Sequence, residues 1–269
     1  MSCRSSSKAD SNTTTVAESL TLFSLKPEFD ESQISEVIDS CWSLQYMVRG
    51  PVCGSAGPIV TAITQSNQDR MKQFNHCMYF RYASESAMEQ FMGHLKTKYL
   101  LDEVSRTKTT SGVVSIQYST AVPNDLESIF RRGAQWEEGY EVLLGLVDAE
   151  GSNPEDIDEF LRLTSDLAQS SAYGALQAAT GPVTTAEVKH HTLNPSRDEE
   201  IQLASEAQEQ FECNRIFMAR FPSDLSVVES FMNSPPLQAI LAGDERSPVS
   251  SSWGIVVQLS PSETSSSSM

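Results

Sequence analysis

Proton-moving and metal-holding chemistry in this 269-residue chain rests on four histidines and five cysteines. His76 heads an alternating run in which His76, Met78, Phe80 and Tyr82 interleave with Asn75, Cys77, Tyr79 and Arg81. On a strand, side chains of like parity share one face, so His76 stands with apolar neighbours. There an imidazole could line a pocket and exchange a proton near neutral pH. It could equally be a core histidine satisfied by one hydrogen bond. His94 follows the next helical stretch, where it could border the same cavity or sit at the surface as a cap. Tyr46, on the first helix, is the best polar handle for such a cavity, so His76, His94 and Tyr46 are the acid–base candidates. Met78, Phe80, Tyr82, Met88, Phe91, Met92 and Trp42 could wall an apolar ligand site on the order of a few hundred Å3; the same residues could fill the layer between helix and sheet. No metal site is expected. His190 and His191 are adjacent and point apart on a strand. The cysteines (Cys3, Cys41, Cys53, Cys77, Cys213) are odd in number and lack a CxxC spacing, which fits a reduced compartment better than a disulfide scaffold. No Ser-His-Asp order, phosphate-cradling glycine loop or HExxH is present.

The elements that must position these residues occur twice. SLTLFSL (19–25) matches EVLLGLV (141–147), and DESQISEVI (30–38) matches NPEDIDEFL (153–161) with Ile34 on Ile157. GPIVTA (57–62) matches GPVTTA (181–186), Asn75 falls on Asn214, Arg81 on Arg220, and GVVSIQYS (112–119) meets GIVVQLS (254–260). Each copy reads strand–helix–strand–strand–helix–strand. Asp30 with Gln33 forms a capping box ahead of the stripe Ile34, Val37, Ile38, Cys41, Leu44, Val48. Asn153 and Pro154 start the matching helix, which carries Ile157, Phe160, Leu161 and Thr164. Ser84 and Ser223 are the expected caps of the second helices. Two such units predict an α+β fold: ferredoxin-like βαββαβ repeats in tandem, whose antiparallel sheets cover each other as an intramolecular pseudo-dimeric barrel. The expected divisions are a disordered N-terminus (1–17), domain 1 (18–120), a linker able to hold a short helix (121–139), domain 2 (140–260) and a disordered tail (261–269). Copy two departs in two places. Arg215 replaces the histidine, so burial there demands a carboxylate partner or an anionic ligand, and it joins the candidate pocket. An insertion at 187–212 holds six acids and one base between 197 and 212, with Leu203, Ala207 and Phe211 at helical spacing. It reads as an exposed amphipathic helix, or as a lid or partner-binding element.

The net charge of −17 repels nucleic-acid backbones and anionic lipid. No apolar run reaches the ~18–20 residues needed to span a bilayer, so a soluble chain is expected. The N-terminus has no apolar segment of the secretory kind. Cytoplasmic placement is the simplest expectation, with plastid or peroxisome as alternatives.

SLTLFSLKPEFDESQISEVI, FNHCMYFRYASESAMEQFMGH and GVVSIQYS together resemble the stress-responsive A/B barrel domain, a dimeric α+β barrel family. Phe74-Asn75-His76 is similar to that family's triplet at the head of the third strand, and Gly93-His94 to its His-containing segment. The join ESIFRRGAQWEEGYEVLLGL resembles plant proteins with two such domains in tandem; the likeness spans about 19–119 and 140–260. The resemblance implies a compact, stress-induced, non-catalytic protein with a protective or interaction role. It also implies that Mg2+ could be held by backbone carbonyls near the end of the first helix. Fusion already satisfies the pairing surface, so a monomer is plausible, and a homodimer through the outer helices stays open as the alternative. One branch, a plant polyketide cyclase, uses the barrel pocket for a cofactor-free aldol cyclisation with two histidines and a tyrosine. Those positions fall here on Ser19, about Thr97 and near Phe91. Both histidines and the tyrosine of that branch are therefore missing here, and the alternative expectation, an apolar small-molecule binder or such a cyclase, has to work through His76, His94 and Tyr46.

Overall fold

The computed structural model describes residues 12–62, 73–131, 136, 138–189, 213–222, 224–243 and 247–259. In chain order the strands are β1 (Thr13–Leu25), β2 (Pro51–Ala62), β3 (His76–Tyr82), β4 (Thr109–Pro123), β5 (Gly139–Asp148), β6 (Gln177–Lys189), β7 (Arg215–Phe221) and β8 (Val249–Leu259). The helices are α1 (Glu31–Met47), α2 (Glu85–Gly93), α3 (Leu95–Glu103), α4 (Leu126–Phe130), α5 (Pro154–Gln169), α6 (Leu225–Met232) and α7 (Pro235–Ala242). The protein is α+β, and its strands close into one antiparallel barrel in the order β1-β3-β2-β8-β5-β7-β6-β4.

Local chemistry explains the element boundaries. Gln33 N–H donates to Asp30 Oδ1 at 2.8 Å while Asp30 N–H donates to Gln33 Oε1 at 3.0 Å, which completes the expected capping box of α1. Asn153 caps α5 with Pro154 in its first turn, and Ile157, Leu161, Thr164 and Ala168 are its buried face. Ser84 caps α2 as expected; the cap of α6 is Asp224, one residue beyond Ser223. The short helix expected in the linker is α4, capped by Asp125. The N-terminal boundary moves: residues 13–17, expected to be disordered, belong to β1, where Thr13 pairs with Pro123 and Thr14 with Val122. β-Branched threonines suit an extended ladder, and that outweighs their polarity. The acidic insertion falls largely outside the described residues, since β6 ends at Lys189 and β7 begins at Arg215.

Period two divides every strand between two surroundings. Leu20, Leu22, Cys77, Val114, Ile116, Leu143, Ala179, Ile216, Met218, Ile255 and Val257 form a cluster inside the barrel, joined by Ile59 of β2, so that all eight strands contribute. Opposite-parity residues pack under the helices, with Phe23, Met78, Phe80 and Tyr82 beneath α1–α3 and Leu144, Phe217 and Phe221 beneath α5–α7. Leu20, Leu22, Ile116, Ile216 and Ile255 are completely buried, each such burial being worth about 1.5–3 kcal/mol. The indole of Trp253 lies so close to Gly145 that no Cβ fits there.

The strand order carries an internal correspondence. β4-β1-β3-β2 is followed by β8-β5-β7-β6, which is the same order with each number raised by four. Asn75 takes Leu25 N–H on its Oδ1 at 2.9 Å, and Asn214 takes Asp148 N–H at 3.2 Å. Glu18 pairs with Arg81, and Glu141 with Arg220. The first strands therefore correspond through Glu18 and Glu141, one residue away from the alignment of Ser19 with Glu141. Among the described residues the seams between the halves run from Val113↔Lys189 to Tyr118↔Val183 for β4–β6 and through Ile59, Thr61 and Ala62 for β2–β8, with a register shift in each.

Candidate functional site

His76 heads β3 on the face that α1–α3 cover. It is 9% exposed, its ring stacks on Phe23 at 6.1 Å between centroids, and its Nδ1 lies 2.8 Å from Asn75 Oδ1. Burial lowers its pKa to about 4, so the ring is neutral at physiological pH and has no proton to lend as an imidazolium. Met78, Phe80, Tyr82, Met88 and Phe91 share this layer as expected. They pack on one another: Phe91 lies 5.1 Å from Phe80 and 5.5 Å from Tyr82, ring to ring. The Tyr82 hydroxyl meets Ser19 Oγ at 3.1 Å, and burial pushes its pKa up.

The other acid–base candidates stand apart from that layer. His94 is exposed; it caps α3 and accepts Lys96 N–H on Nδ1 at 3.2 Å. Tyr46 was expected inside the cavity but is 71% exposed, lying edge-on to Trp42 at 5.0 Å. The stripe of α1 that faces the sheet is Val37, Cys41 and Leu44, which turns Tyr46 outward. Arg215 sits in the other half and has carboxylate partners, with Nε 3.0 Å from Asp148 Oδ1 and Nη1 3.0 Å from Asp158 Oδ1. The demand for a counter-charge at this position is met within the chain. Asp148, Asp158 and Arg215 all keep contact with water, so the pairs are the weak, screened kind.

Ionisable groups do converge inside the barrel, at the end under the linker. Glu18 Oε1 accepts from Tyr79 O–H at 2.5 Å and from Arg81 Nε at 2.7 Å, and Glu18 Oε2 accepts from Thr120 Oγ1 at 3.0 Å. Arg81 continues from Nη2 to Gln177 Oε1 at 2.7 Å, across to β6, and from Nη1 to the Ser128 carbonyl of α4 at 2.5 Å. Arg131, just after α4, forks onto Glu141 at 2.8 and 3.0 Å and lays its guanidinium 4.3 Å from the Tyr79 ring centre. Arg220 donates to the Trp136 carbonyl at 2.9 Å, and burial lowers its pKa to about 10. Burial would raise the pKa of Glu18, but Arg81, Arg131 and the hydrogen bonds from Tyr79 and Arg81 outweigh it and hold it below the ordinary carboxylate range. The Tyr79 phenol is pushed well up by burial and stays protonated as a donor. Glu18, Arg81 and Glu141 are completely buried. As a chemical device the cluster is two buried ion pairs, Glu18–Arg81 and Glu141–Arg131, which with Gln177 tie β1, β3, β5, β6 and the linker together. Sequence reasoning missed Glu18, Arg131, Glu141 and Gln177. The usable signal was Arg81 matching Arg220 on inward parity, since an inward arginine calls for a carboxylate on a neighbouring strand.

Among the described residues, two hollows outside the barrel stand out. One, of about 620 Å3, runs along the serine-lined face of α1 beside Leu100 of α3. The other, of about 270 Å3, lies between α6, α7 and the β2–β8 seam. Among the described residues no three His, Cys, Asp or Glu side chains are grouped so as to hold a metal ion, and no helix is long and apolar enough to cross a membrane.

No family model and no curated protein matches the chain. Solved structures do. A candidate monooxygenase from Fusobacterium nucleatum superposes over 92% of this chain and 92% of its own, with a TM-score of 0.52 at 9% identity. A candidate chlorite dismutase covers 93% and 96%, with a TM-score of 0.51 at 8% identity. An anthrone oxidase-like protein covers 91% and 92%, with a TM-score of 0.52 at 14% identity. At such identities the likeness is one of fold, and it runs nearly end to end in both partners. The class so defined is the α+β proteins built on a closed antiparallel barrel sheathed by helices.

Proposed function

We propose that this is a non-catalytic protein of the stress-responsive A/B barrel type. Two ferredoxin-like βαββαβ units, close to residues 18–120 and 140–260, are fused into a pseudo-dimer that acts protectively through its surface. The observation that carries this reading is the apolar cluster inside the barrel: side chains from all eight strands meet there, and one end is tied to the linker by Arg81, Arg131 and Arg220. A barrel that turned over a substrate would place its polar groups where a substrate could touch them; here Glu18, Arg81 and Glu141 are completely buried and engaged with one another and with the linker. The repeated strand order and the matched Asn75/Asn214 and Glu18/Glu141 positions support the fusion.

The test is to heat a thermolabile reporter enzyme with the full chain or with an equal mass of an inert protein. Retained reporter activity only with the full chain is the expected result. Equal losses in both would remove the protective role. A second reading, small-molecule binding, is favoured by one specific observation, the apolar hollow of about 270 Å3 against α6 and α7.

A further inference from the structure

The hollow at the β2–β8 seam is walled by Leu225, Val228, Met232, Leu241 and Val256, and rimmed by Thr61, Glu229, Asn233 and Gln238. The internal correspondence of the fold supplies a control for whether barrel packing alone requires those apolar walls. α6 matches α2 through their caps, Asp224 and Ser84, and through their completely buried Phe231 and Phe91. On that match Leu225 falls on Glu85. β8 matches β4 because Val257 stands opposite Glu141 as Tyr118 stands opposite Glu18, which puts Val256 on Gln117. In the first half Glu85 reaches across to β4 and accepts from Ser119 Oγ at 2.8 Å. Val228 and Met232 fall on the equally apolar Met88 and Met92, so what sets the second half apart is Leu225 and Val256, which stand where the first half carries the polar Glu85 and Gln117. Packing of the fold does not require those two positions to be apolar.

The rim says what chemistry the hollow would take. Asn233 engages its NH2 group on the Glu229 carbonyl at 2.9 Å, and Gln238 engages its NH2 group on the Met232 carbonyl at 2.8 Å. Each amide keeps its oxygen and one N–H for a ligand, so the charge preference of the rim is set by the Glu229 carboxylate, which accepts only. The hollow runs along α6 from Leu225 to Asn233, and its Glu229 end is the C-terminal one, where the helix dipole favours positive charge. A net charge of −17 raises the local concentration of cations further. A volume of about 270 Å3 suits a compact apolar body on the order of ten non-hydrogen atoms at protein-like packing.

We propose that this cleft is a binding site for a small apolar amine, with the hydrocarbon against Leu225, Val228, Met232 and Val256 and the ammonium at Glu229. The site lies outside the barrel and does not rest on the protective reading, so either can fail alone.

The test titrates the full chain, carbon-13 labelled at Leu, Val and Met methyls, with 2-phenylethylamine, 2-phenylethanol and 3-phenylpropanoate at low salt. The expected result is saturable shifts confined to the methyls of Leu225, Val228, Met232, Leu241 and Val256. The amine should bind ~5-fold more tightly than the alcohol, and the acid weakest, as a favourable charge beside a carboxylate and a helix C-terminus requires. Leu225→Lys, which puts a cation into the cleft at a half-buried surface position, should abolish the amine-induced shifts while leaving the rest of the spectrum folded. Glu229→Gln should erase the preference for amine over alcohol and keep the alcohol bound. The proposal is overturned by shifts that do not saturate, by amine shifts that survive Leu225→Lys, or by an acid that binds as well as the amine.

Discussion

At the scale of single residues, the same fold treats its two kinds of buried polar group differently. His76 is buried with a single side-chain partner, Asn75 Oδ1, and its pKa falls to about 4 because burial disfavours the charged ring. An unfolded chain holds histidine near the ordinary value of ~6.5. Between those values the unfolded state binds the extra proton, so stability attributable to His76 is fully present above pH ~6.5 and is lost as pH falls towards 4. The loss is up to about 3 kcal/mol. His76→Phe should flatten that dependence in urea titrations across pH 4 to 7, and the His76 ring signals should not move above pH 5. A ring that titrates near 6.5 would return His76 to the list of acid–base groups. Glu18 and Arg81 are buried with full sets of partners, and there the cost lies in breaking the pair. Arg81→Met leaves Glu18 charged in the barrel and should destabilise by about 3–5 kcal/mol. Pairing it with Glu18→Leu should recover much of that loss, because no uncompensated charge remains. A double variant as unstable as the sum of its singles would show that the pair's worth lies elsewhere.

At the scale of elements, what the chain states locally was readable and what depends on register was not. Asp30 and Gln33, Asn153 and Pro154, and the stripe Val37–Cys41–Leu44 all appear where spacing places them, because caps and helical faces are decided within a few residues. Asp30→Ala should cost about 1 kcal/mol in equilibrium unfolding, from the loss of an acceptor for the Gln33 N–H. If it changes nothing, α1 is held by its packed face alone. The alternation on β3 was equally legible. Which face met helices and which met the barrel was not, since both sets contain large apolar groups. Only closure sent His76, Met78, Phe80 and Tyr82 under the helices and Cys77, Tyr79 and Arg81 inward. The linker shows the same limit: α4 was foreseeable, whereas the left-handed Arg131, at φ 49°, carrying its guanidinium onto Glu141 was not.

At the scale of the whole molecule, the two halves are joined by more than the chain between them. β2 pairs with β8 and β4 with β6, and Arg81 reaches Gln177 inside. Separating the halves would leave four strand edges open and break the ion-pair cluster. Unfolding should therefore be one cooperative event. Trp42 reports on the first half and Trp253 on the second; single-tryptophan variants followed by fluorescence should give coincident urea transitions. Two separated midpoints would mean that the halves are independent domains resting against each other.

By itself the sequence determined the elements, most of their caps and the alternation of the strands, because these follow from interactions between residues close in the chain. It also placed an arginine at the same inward position in each half, Arg81 and Arg220. Tertiary structure alone decided what those arginines meet, which face became the barrel's interior, where Tyr46 points, and that an apolar hollow survives at one seam while its counterpart is bridged by Glu85 and Ser119. The physical reason is register. A shift of one residue exchanges every inward side chain for an outward one, and only the pairing of strands distant in the chain sets it.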